Sequence, residues 1–553
     1  MDRRLRIAII ASTAVVVLAP VLLVLWQSFL DGPFFARNVH LTFGAFQFVF
    51  SDPRFYQAFG NSLLVAFGMT LVAVPVGALL AFLLVRTDLP GGRWLEPLIL
   101  APMFISSIVL AFGFVVALGP VGLLSLWVKE WLGFIPWNLY SKTSLVVLAG
   151  LTHVPHVFIY AASALRSLGS DVEEAARSTG AGPLRTALTV SLPMITPSLS
   201  YAAVLVFFLG FELFGLPLIL ADPQNVQVLA TYVYGLTNIL GVPSYQLMAV
   251  VVLVIVAITL PLVFLQRRLL RNANRYISIK GKAAQQRPLA IGMWRWPAVA
   301  LIAAWLLVTV VIPVAGLVLR AFLSSWGEGV DLADALTLRN FHELGEYPNV
   351  TRGILNTLLL AVVGGGAAVG VYTVLNLAAH RWSSRWATLL DYLVLLPRAM
   401  PGIVAGLAVF WLFLFVPPLQ PWRQTLFAMW IAYTLVWMAY GMRLVSASLL
   451  QIAPELEEAG RVAGASPGRV SRDVTVPLIR AGLIGCWLLL FVTFVREYST
   501  GVYLLSPGTE VIGSLLVSLW ATGGVDLVVA LSTVNIVMVG AGLLLMAVFG
   551  RKK

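Results

Sequence analysis

Long apolar runs alternate with short polar segments along the whole chain. About 20 consecutive apolar residues cross a bilayer as a helix. Runs of that order predict spans at about 7–30, 58–85, 95–119, 143–165, 192–220 and 243–266. They resume at about 296–322, 353–379, 387–416, 423–446, 478–505 and 525–549. The fold class that follows is an all-α polytopic membrane protein with about 12 transmembrane helices. The first run follows Asp2-Arg-Arg-Leu-Arg6. It is too long for the apolar core of a signal peptide and no small-residue cleavage site closes it, so it reads as a span. Residues 31–57 read as an external loop. Residues 120–142, with Trp127, Trp131 and Trp137, read as an amphipathic piece at the outer interface, where tryptophan is favoured.

Composition agrees with the pattern. Hydrophobic residues make up 60% of the chain and charged residues 11%, and mean hydropathy is +0.93. A soluble domain carries about 25% charged residues. The net charge of +12 does not indicate nucleic acid, because no basic run is interleaved with exposed aromatics. With the N-terminus inside, the inner loops and tails hold about 26 of the 36 Lys and Arg residues, the bias of the positive-inside rule. That places both termini in the cytoplasm, together with the basic segment 267–295. This segment carries Arg267, Arg268, Arg271, Arg275, Lys280, Lys282, Arg287 and Arg295 without an acid, and it separates residues 1–266 from 296–553. Cys486 is the single cysteine, so a disulfide framework is excluded.

One polar stretch occurs twice. Asp171-Val-Glu-Glu-Ala-Ala-Arg-Ser-Thr-Gly-Ala-Gly-Pro183, running on to Val190-Ser-Leu-Pro193, is matched by Glu455-Leu-Glu-Glu-Ala-Gly-Arg-Val-Ala-Gly-Ala-Ser-Pro467, running on to Val474-Thr-Val-Pro477. The flanks match too: Asn61-Ser-Leu-Leu resembles Asn356-Thr-Leu-Leu, Arg86-Thr-Asp-Leu-Pro-Gly-Gly-Arg93 lies where His380-Arg-Trp-Ser-Ser-Arg385 lies, and Leu98-Ile-Leu-Ala-Pro102 aligns with Leu393-Val-Leu-Leu-Pro397. Six spans per half make the halves parallel six-helix repeats, related by an axis along the membrane normal.

Both stretches, 170–193 and 454–477, encode helix, glycine turn, helix. Ser170 and Glu173 suit a capping box, and Asp171, Glu173 and Glu174 suit the positive end of a helix. Pro454 suits a helix start. Gly180 and Gly464 can end the first helix in a left-handed conformation, and Pro183 and Pro467 suit the first turn of a second. Ala175 and Ala176, with Ala459 and Gly460, keep one face small enough for close docking. An ordinary loop could carry such caps once; two copies in register at the same topological slot point to a shared task.

The motif Glu174-Ala-Ala-x3-Gly180-x9-Val190-x-Leu-Pro193 resembles the EAA loop of membrane subunits of binding-protein-dependent ABC importers. Its second copy is Glu458-Ala-Gly-x3-Gly464-x9-Val474-x-Val-Pro477, with glycine for the second alanine and valine for leucine. The resemblance covers nearly the whole chain, as two fused permease units. It implies a transport subunit of the bacterial inner membrane, not an enzyme, worked by two cytoplasmic ABC ATPase subunits and served by a periplasmic substrate-binding protein. Glu173, Glu174, Ala175, Ala176 and Gly180, with Glu457, Glu458, Ala459, Gly460 and Gly464, would form the ATPase-coupling segments, Glu174 and Glu458 being the docking contacts. No Gly-x4-Gly-Lys-Ser/Thr loop occurs, and Gly281-Lys282 lacks its first glycine and hydroxyl. No cofactor is expected on this chain, since ATP and Mg would sit on the partner ATPase. A twelve-span secondary transporter also has parallel six-span halves, but its inner loops would not carry this duplicated motif.

Cargo is less legible. A charge inside a span implies a partner or a pathway. Glu212, Arg398, Arg496 and Glu497 are such charges; Glu212 occupies the slot that matches Arg496, so the two suit either an ion pair or a polar lining for a charged substrate. His153 and His156 flank Pro155, and with no third ligand at metal spacing the expectation is no metal site. The fusion of two units, Arg86-Thr-Asp-Leu-Pro-Gly91 and Arg496-Glu-Tyr-x7-Ser506-Pro-Gly508 resemble the ferric-iron importers, which implies ferric iron as cargo. Thiamine, polyamine and aminoethylphosphonate importers share much of the pattern.

Overall fold

The computed structural model describes residues 3–34, 36–169, 171–238, 244–273, 288–327, 329–382 and 384–550. Residues 274–287 of the basic segment 267–295, and Ser170 with its expected capping role, lie outside the described residues. Helices dominate, and among the described residues extended pairing is limited to isolated bridges.

Nine described helices are long and apolar enough to cross a bilayer, or eleven if each of two sharply bent pairs counts as one span. The shorter apolar helix Gly402–Phe415 lies at the remaining expected position. Local chemistry sets several boundaries. Asp52 accepts the Arg54 N–H at 2.9 Å and Pro53 opens the helix Pro53–Arg86. Ser141 accepts the Ser144 N–H at 3.1 Å and opens Lys142–Ser167.

Four expected continuous spans are interrupted: 192–220 and 423–446 hold the two bent pairs, the former also leaving helix at Leu213, and 95–119 and 387–416 are broken by extended residues. The run 95–119 stops as a helix at Phe104 and restarts at Ser107, with Ile105 and Ser106 extended. The run 387–416 forms Arg385–Leu393, a short turn at Pro397–Ala399 and then Gly402–Phe415, with Met400 extended and Pro401 at ψ 149°. Proline explains the break in 387–416, where Pro401 follows the extended Met400 and disfavours helix at the residue before it; in 95–119 the helix runs through Pro97 and Pro102 and ends only after them. The expected 478–505 span ends earlier, at Arg496.

Contacts divide the chain into two compact units that are not consecutive segments. One comprises Met1–Ser51, Gly235–Val256 and Leu338–Lys553; the other comprises Asp52–Tyr234 and Ala257–Thr337. Each unit thus takes the first span of the opposite sequence half. In the unit that starts at Asp52, Pro53–Arg86 packs along Lys142–Ser167 through small residues. A Cβ added at Gly77 would lie 2.6 Å from Val157, and one at Gly150 would lie 2.6 Å from Val72. Helices in lipid gain from this close approach because apolar surface alone gives them no reason to associate. In the other unit, Arg3–Ser28 packs on the helices Gly365–Ala379, Arg385–Leu393 and Gly402–Phe415.

Candidate functional site

The repeated stretches fold alike. Copy one forms the helices Asp171–Ser178 and Pro183–Thr186, then a π-helical turn at Ala187–Ser191. Copy two forms Pro454–Val462 and Pro467–Val470, then a π-helical turn at Ser471–Thr475. Gly180 sits at φ 88° and Gly464 at φ 83°, the left-handed geometry expected of them. Each closes its helix with the same bonds: Gly180 N–H to Arg177 O and Ala181 N–H to Ala176 O, against Gly464 N–H to Arg461 O and Ala465 N–H to Gly460 O. Ser466 caps the second helix of copy two by accepting the Arg469 N–H at 3.4 Å. The departure at Gly460 has a steric counterpart, since a Cβ there would stand 3.1 Å from Val470 Cγ2.

The adjacent glutamates face opposite ways. Glu174 and Glu458 are exposed, as are Ala175 and Ala459. Glu173 and Glu457, grouped with them from sequence as coupling residues, point inward and are buried. Glu173 takes the guanidinium of Arg86, the last residue of its helix, with Nε 3.0 Å from both carboxylate oxygens and Nη2 closing a fork. The Arg86 side chain is 2% exposed and that of Glu173 is 4% exposed. Ser191 Oγ, at the end of the π turn, donates to Glu173 at 2.6 Å. Arg86 also reaches Leu168 O at 3.4 Å, just ahead of the loop.

Copy two repeats the arrangement with a single arginine–carboxylate contact in place of the fork. Arg381 Nη1 lies 3.0 Å from Glu457 Oε2, Thr475 Oγ1 donates to Glu457 Oε1 at 3.1 Å, and Arg381 Nη2 donates to Ile452 O at 2.8 Å. His380 Nε2 adds a contact at 3.1 Å to Glu457 Oε1. One arginine at a span end therefore ties both ends of each polar stretch to its own unit, through a buried carboxylate and a hydroxyl at the π turn. Sequence reasoning found the loops and aligned Arg86 with the His380-Arg381 region, but missed the clamp. The signal was present: Ser191 follows Glu173 at the interval at which Thr475 follows Glu457.

The expected pathway charges are placed as follows. Glu497 is buried, its Oε1 accepting from the backbone N–H and hydroxyl of both Ser499 and Thr500, and its Oε2 from Trp437 Nε1 at 3.1 Å. That network pins the chain leaving the helix Val476–Arg496. Arg496 and Arg398 are half-buried, and the Arg496 guanidinium lies over the Trp437 ring at 5.8 Å. Glu212 is half-buried at the end of Thr196–Glu212, in the unit that does not hold Arg496. The rings of His153 and His156 stack with centroids 5.4 Å apart, and His153 Nδ1 lies 2.7 Å from Ala149 O. Among the described residues no three His, Cys, Asp or Glu side chains gather at metal-binding distance.

A second repeated clamp was also missed, on the loops 221–242 and 506–524. Asn61 Nδ2 donates to Gln227 O at 2.8 Å, and Ser62 Oγ accepts the Leu229 N–H at 2.8 Å. Asn356 Nδ2 donates to Glu510 O at 2.9 Å, and Thr357 Oγ1 accepts the Ile512 N–H at 2.9 Å. Arg352 forks onto Glu510 with two 2.8 Å bonds and holds its carboxyl below the usual carboxylate range.

Residues 73–275 and 373–551 each match the family described as binding-protein-dependent transport system inner membrane component. The ferric transport system permease protein FbpB of Actinobacillus pleuropneumoniae is 22% identical over 80% of this chain, a match spanning 63% of that relative's length. The Fe(3+)-transport system permease protein FbpB 2 of Haemophilus influenzae is 22% identical over 85% of this chain and 84% of its own length. The diacetylchitobiose uptake system permease protein NgcG of Streptomyces coelicolor is 27% identical over 48% of this chain and 86% of its own length.

Proposed function

Because the chain belongs to the binding-protein-dependent transport system inner membrane component family, we propose that it is the fused permease of an ATP-driven importer that moves ferric iron into the cytoplasm. The observation that carries the coupling role is the paired geometry of the polar stretches. Each presents an exposed helix bearing Glu174 or Glu458, and each is clamped from beneath to its own span bundle. A rigid exposed helix is what a moving partner needs to push against. In this reading the stretches face the cytoplasm, and each docks one ATPase subunit carrying ATP and Mg. A periplasmic binding protein delivers cargo to the opposite face, where loops 221–242 and 506–524 are held by the asparagine clamps. Closure of the ATPase pair is passed through Arg86 and Arg381 to the spans, and access alternates across the membrane.

The docking test uses the chain co-purified with its ATPase. Glu174→Arg with Glu458→Arg should lower ATPase association and transport at least about tenfold, the scale for losing buried interface charges and placing like charges there. Unchanged association would remove the coupling role and leave only the fold.

Ferric iron as cargo is supported by the two ferric permease relatives, whose matches run across both halves of this chain. The diacetylchitobiose permease matches about half of it, so cargo has to be measured directly. Proteoliposomes holding the complex should take up iron only with a ferric-loaded binding protein. Equal uptake of a sugar or polyamine, or no iron uptake, would overturn the assignment. Glu212→Gln and Arg496→Gln should each slow that uptake with expression intact if these charges line the path.

A further inference from the structure

The two span ends that supply the clamp arginines differ in what covers them. After Arg86, the chain 288–295 lies against the turn. Leu289 N–H donates to Arg86 O at 2.7 Å, Asp88 N–H to Leu289 O at 3.2 Å and Ile291 N–H to Asp88 Oδ1 at 3.0 Å. Arg295 pairs with Asp88 at 2.8 Å. The turn is thereby sealed by backbone and neutralised by its own carboxylate.

After Arg381 the corresponding residues instead border a cavity of about 600 Å³. Its lining includes Asn376, His380, Arg381, Ser384, Arg385 and Ser446. Charge there is only partly balanced. Glu457 engages Arg381 and His380. Arg6 donates to His380 O at 3.2 Å and lies 5.5 Å over the Trp382 ring, and Arg461 is close enough to act on Arg6 electrostatically. Arg385 is exposed, and among the described residues no carboxylate lies within ion-pair distance of it. Asp391 is the carboxylate on the lining. The helix Arg385–Leu393 opens at the cavity with Ser384 as its cap, so its positive end adds to the field.

We propose that this cavity binds a phosphate-bearing anion, supplied either as the headgroup of an anionic phospholipid or as free phosphate. Guanidinium groups fork onto phosphate oxygens and hold them with charge-assisted hydrogen bonds. Basic pockets between the ends of membrane helices take phospholipid headgroups for that reason. The Ser384 and Ser446 hydroxyls supply further donors, while the Asp391 carboxylate on the same lining opposes the phosphate and can only accept from a headgroup hydroxyl. An anion seated here would touch Arg381, the residue that holds Glu457. The site depends on neither the ATPase docking nor the identity of the cargo.

The test uses the full-length chain in nanodiscs of phosphatidylcholine with increasing phosphatidylglycerol, reading retained lipid by native mass spectrometry. A parallel arm titrates inorganic phosphate into the protein in phosphatidylcholine alone. Saturable retention of phosphatidylglycerol without phosphate binding identifies the lipid as the source, and phosphate binding without lipid preference identifies the free ion; each supports the site. In either case Arg385→Gln should weaken binding about tenfold, the scale of one charge-assisted hydrogen bond. Arg6→Gln should weaken it less, and Arg268→Gln, an exposed arginine of the other unit, should leave it unchanged. No binding in either arm, or equal losses from Arg385→Gln and Arg268→Gln, would overturn the proposal.

Discussion

The two clamps perform one geometry in two environments. Around Glu173 the pair is sealed, with Arg86 2% exposed. Around Glu457 it is open on one side: Arg381 is 31% exposed, and His380 shares the carboxylate. A buried pair is an expensive way to hold two elements together, because both charges lose water. Used twice at the same joint, it fixes the position of each polar stretch against its own unit. The difference between the copies lies in how much solvent can replace a lost partner.

Removing one partner is the strongest way to break the comparison. Glu173→Ala leaves the Arg86 charge buried and should cost about 3–5 kcal/mol. Glu457→Ala should cost less, since water reaches Arg381 and Ile452 O still holds it. Thermal unfolding of the purified chain, followed by size-exclusion fluorescence, measures both. Equal drops would mean that burial does not distinguish the joints. Replacing Arg86 and Glu173 together by Met and Leu should recover most of the stability. If the clamp transmits motion, transport should stay impaired in that stable double variant.

The helices leaving the two loops offer a second contrast. In copy one the axis turns by 67° between Ala187–Met194 and Thr196–Glu212. Copy two runs unbroken through Pro467–Arg496. Both have a proline at the matching position, Pro193 and Pro477, but only the first has another four residues on, Pro197, where the second has Ala481. Ala481→Pro should impose the missing break and cost about 3 kcal/mol. Pro197→Ala should narrow the bend with little loss of stability, read as a changed distance between spin labels placed on either side. An unchanged bend would assign it to packing instead.

The glycine turns should behave alike, which tests the other side of the comparison. Gly180→Ala and Gly464→Ala each force a side chain into left-handed backbone and should cost about 1–2 kcal/mol. Neither glycine has atoms within 4 Å of an added Cβ, so the cost is conformational in both. A large difference between them in the same unfolding assay would show that the stretches are not equivalent.

The elements legible in the sequence were those written in local chemistry. Span positions follow from apolar run length, and the turns at Gly180 and Gly464 follow from residue type. The repeat itself follows from register. The clamps were not legible because each joins residues far apart in sequence, as Arg86 does Glu173. Two adjacent glutamates look alike in a sequence, and only the packed helix shows that Glu173 faces in and Glu174 faces out. The exchange of first spans between compact units is likewise a property of packing. The breaks at Ile105 and Met400 were hidden because apolar composition continues across them. For the second, Pro401 directly after Met400 was the available signal.

The smallest expected effect concerns the loops 221–238 and 506–524, where the copies again differ in charge. Asn61 and Asn356 make matching bonds, but only the second copy adds an arginine fork, Arg352 to Glu510. Those bonds hold the Glu510 carboxyl below its ordinary value of about 4.3. A depressed folded pKa means that the contribution is complete above the unfolded value and is lost as pH falls through the folded one. Acidification below about pH 4 should therefore loosen residues 506–511, where Gly508 N–H also donates to Glu510. Arg352→Gln should move that loosening up toward the ordinary carboxylate range. Hydrogen exchange across a pH series, corrected for intrinsic rates, reads it directly at the Gly508 amide. The internal reference is the Leu229 amide, which Ser62 Oγ holds without a carboxylate; other parts of the same loop meet carboxylates, Gln227 at Asp222 and Tyr232 at Asp52. Parallel loosening at both amides would show that acid acts on the fold as a whole and not on the Glu510 fork.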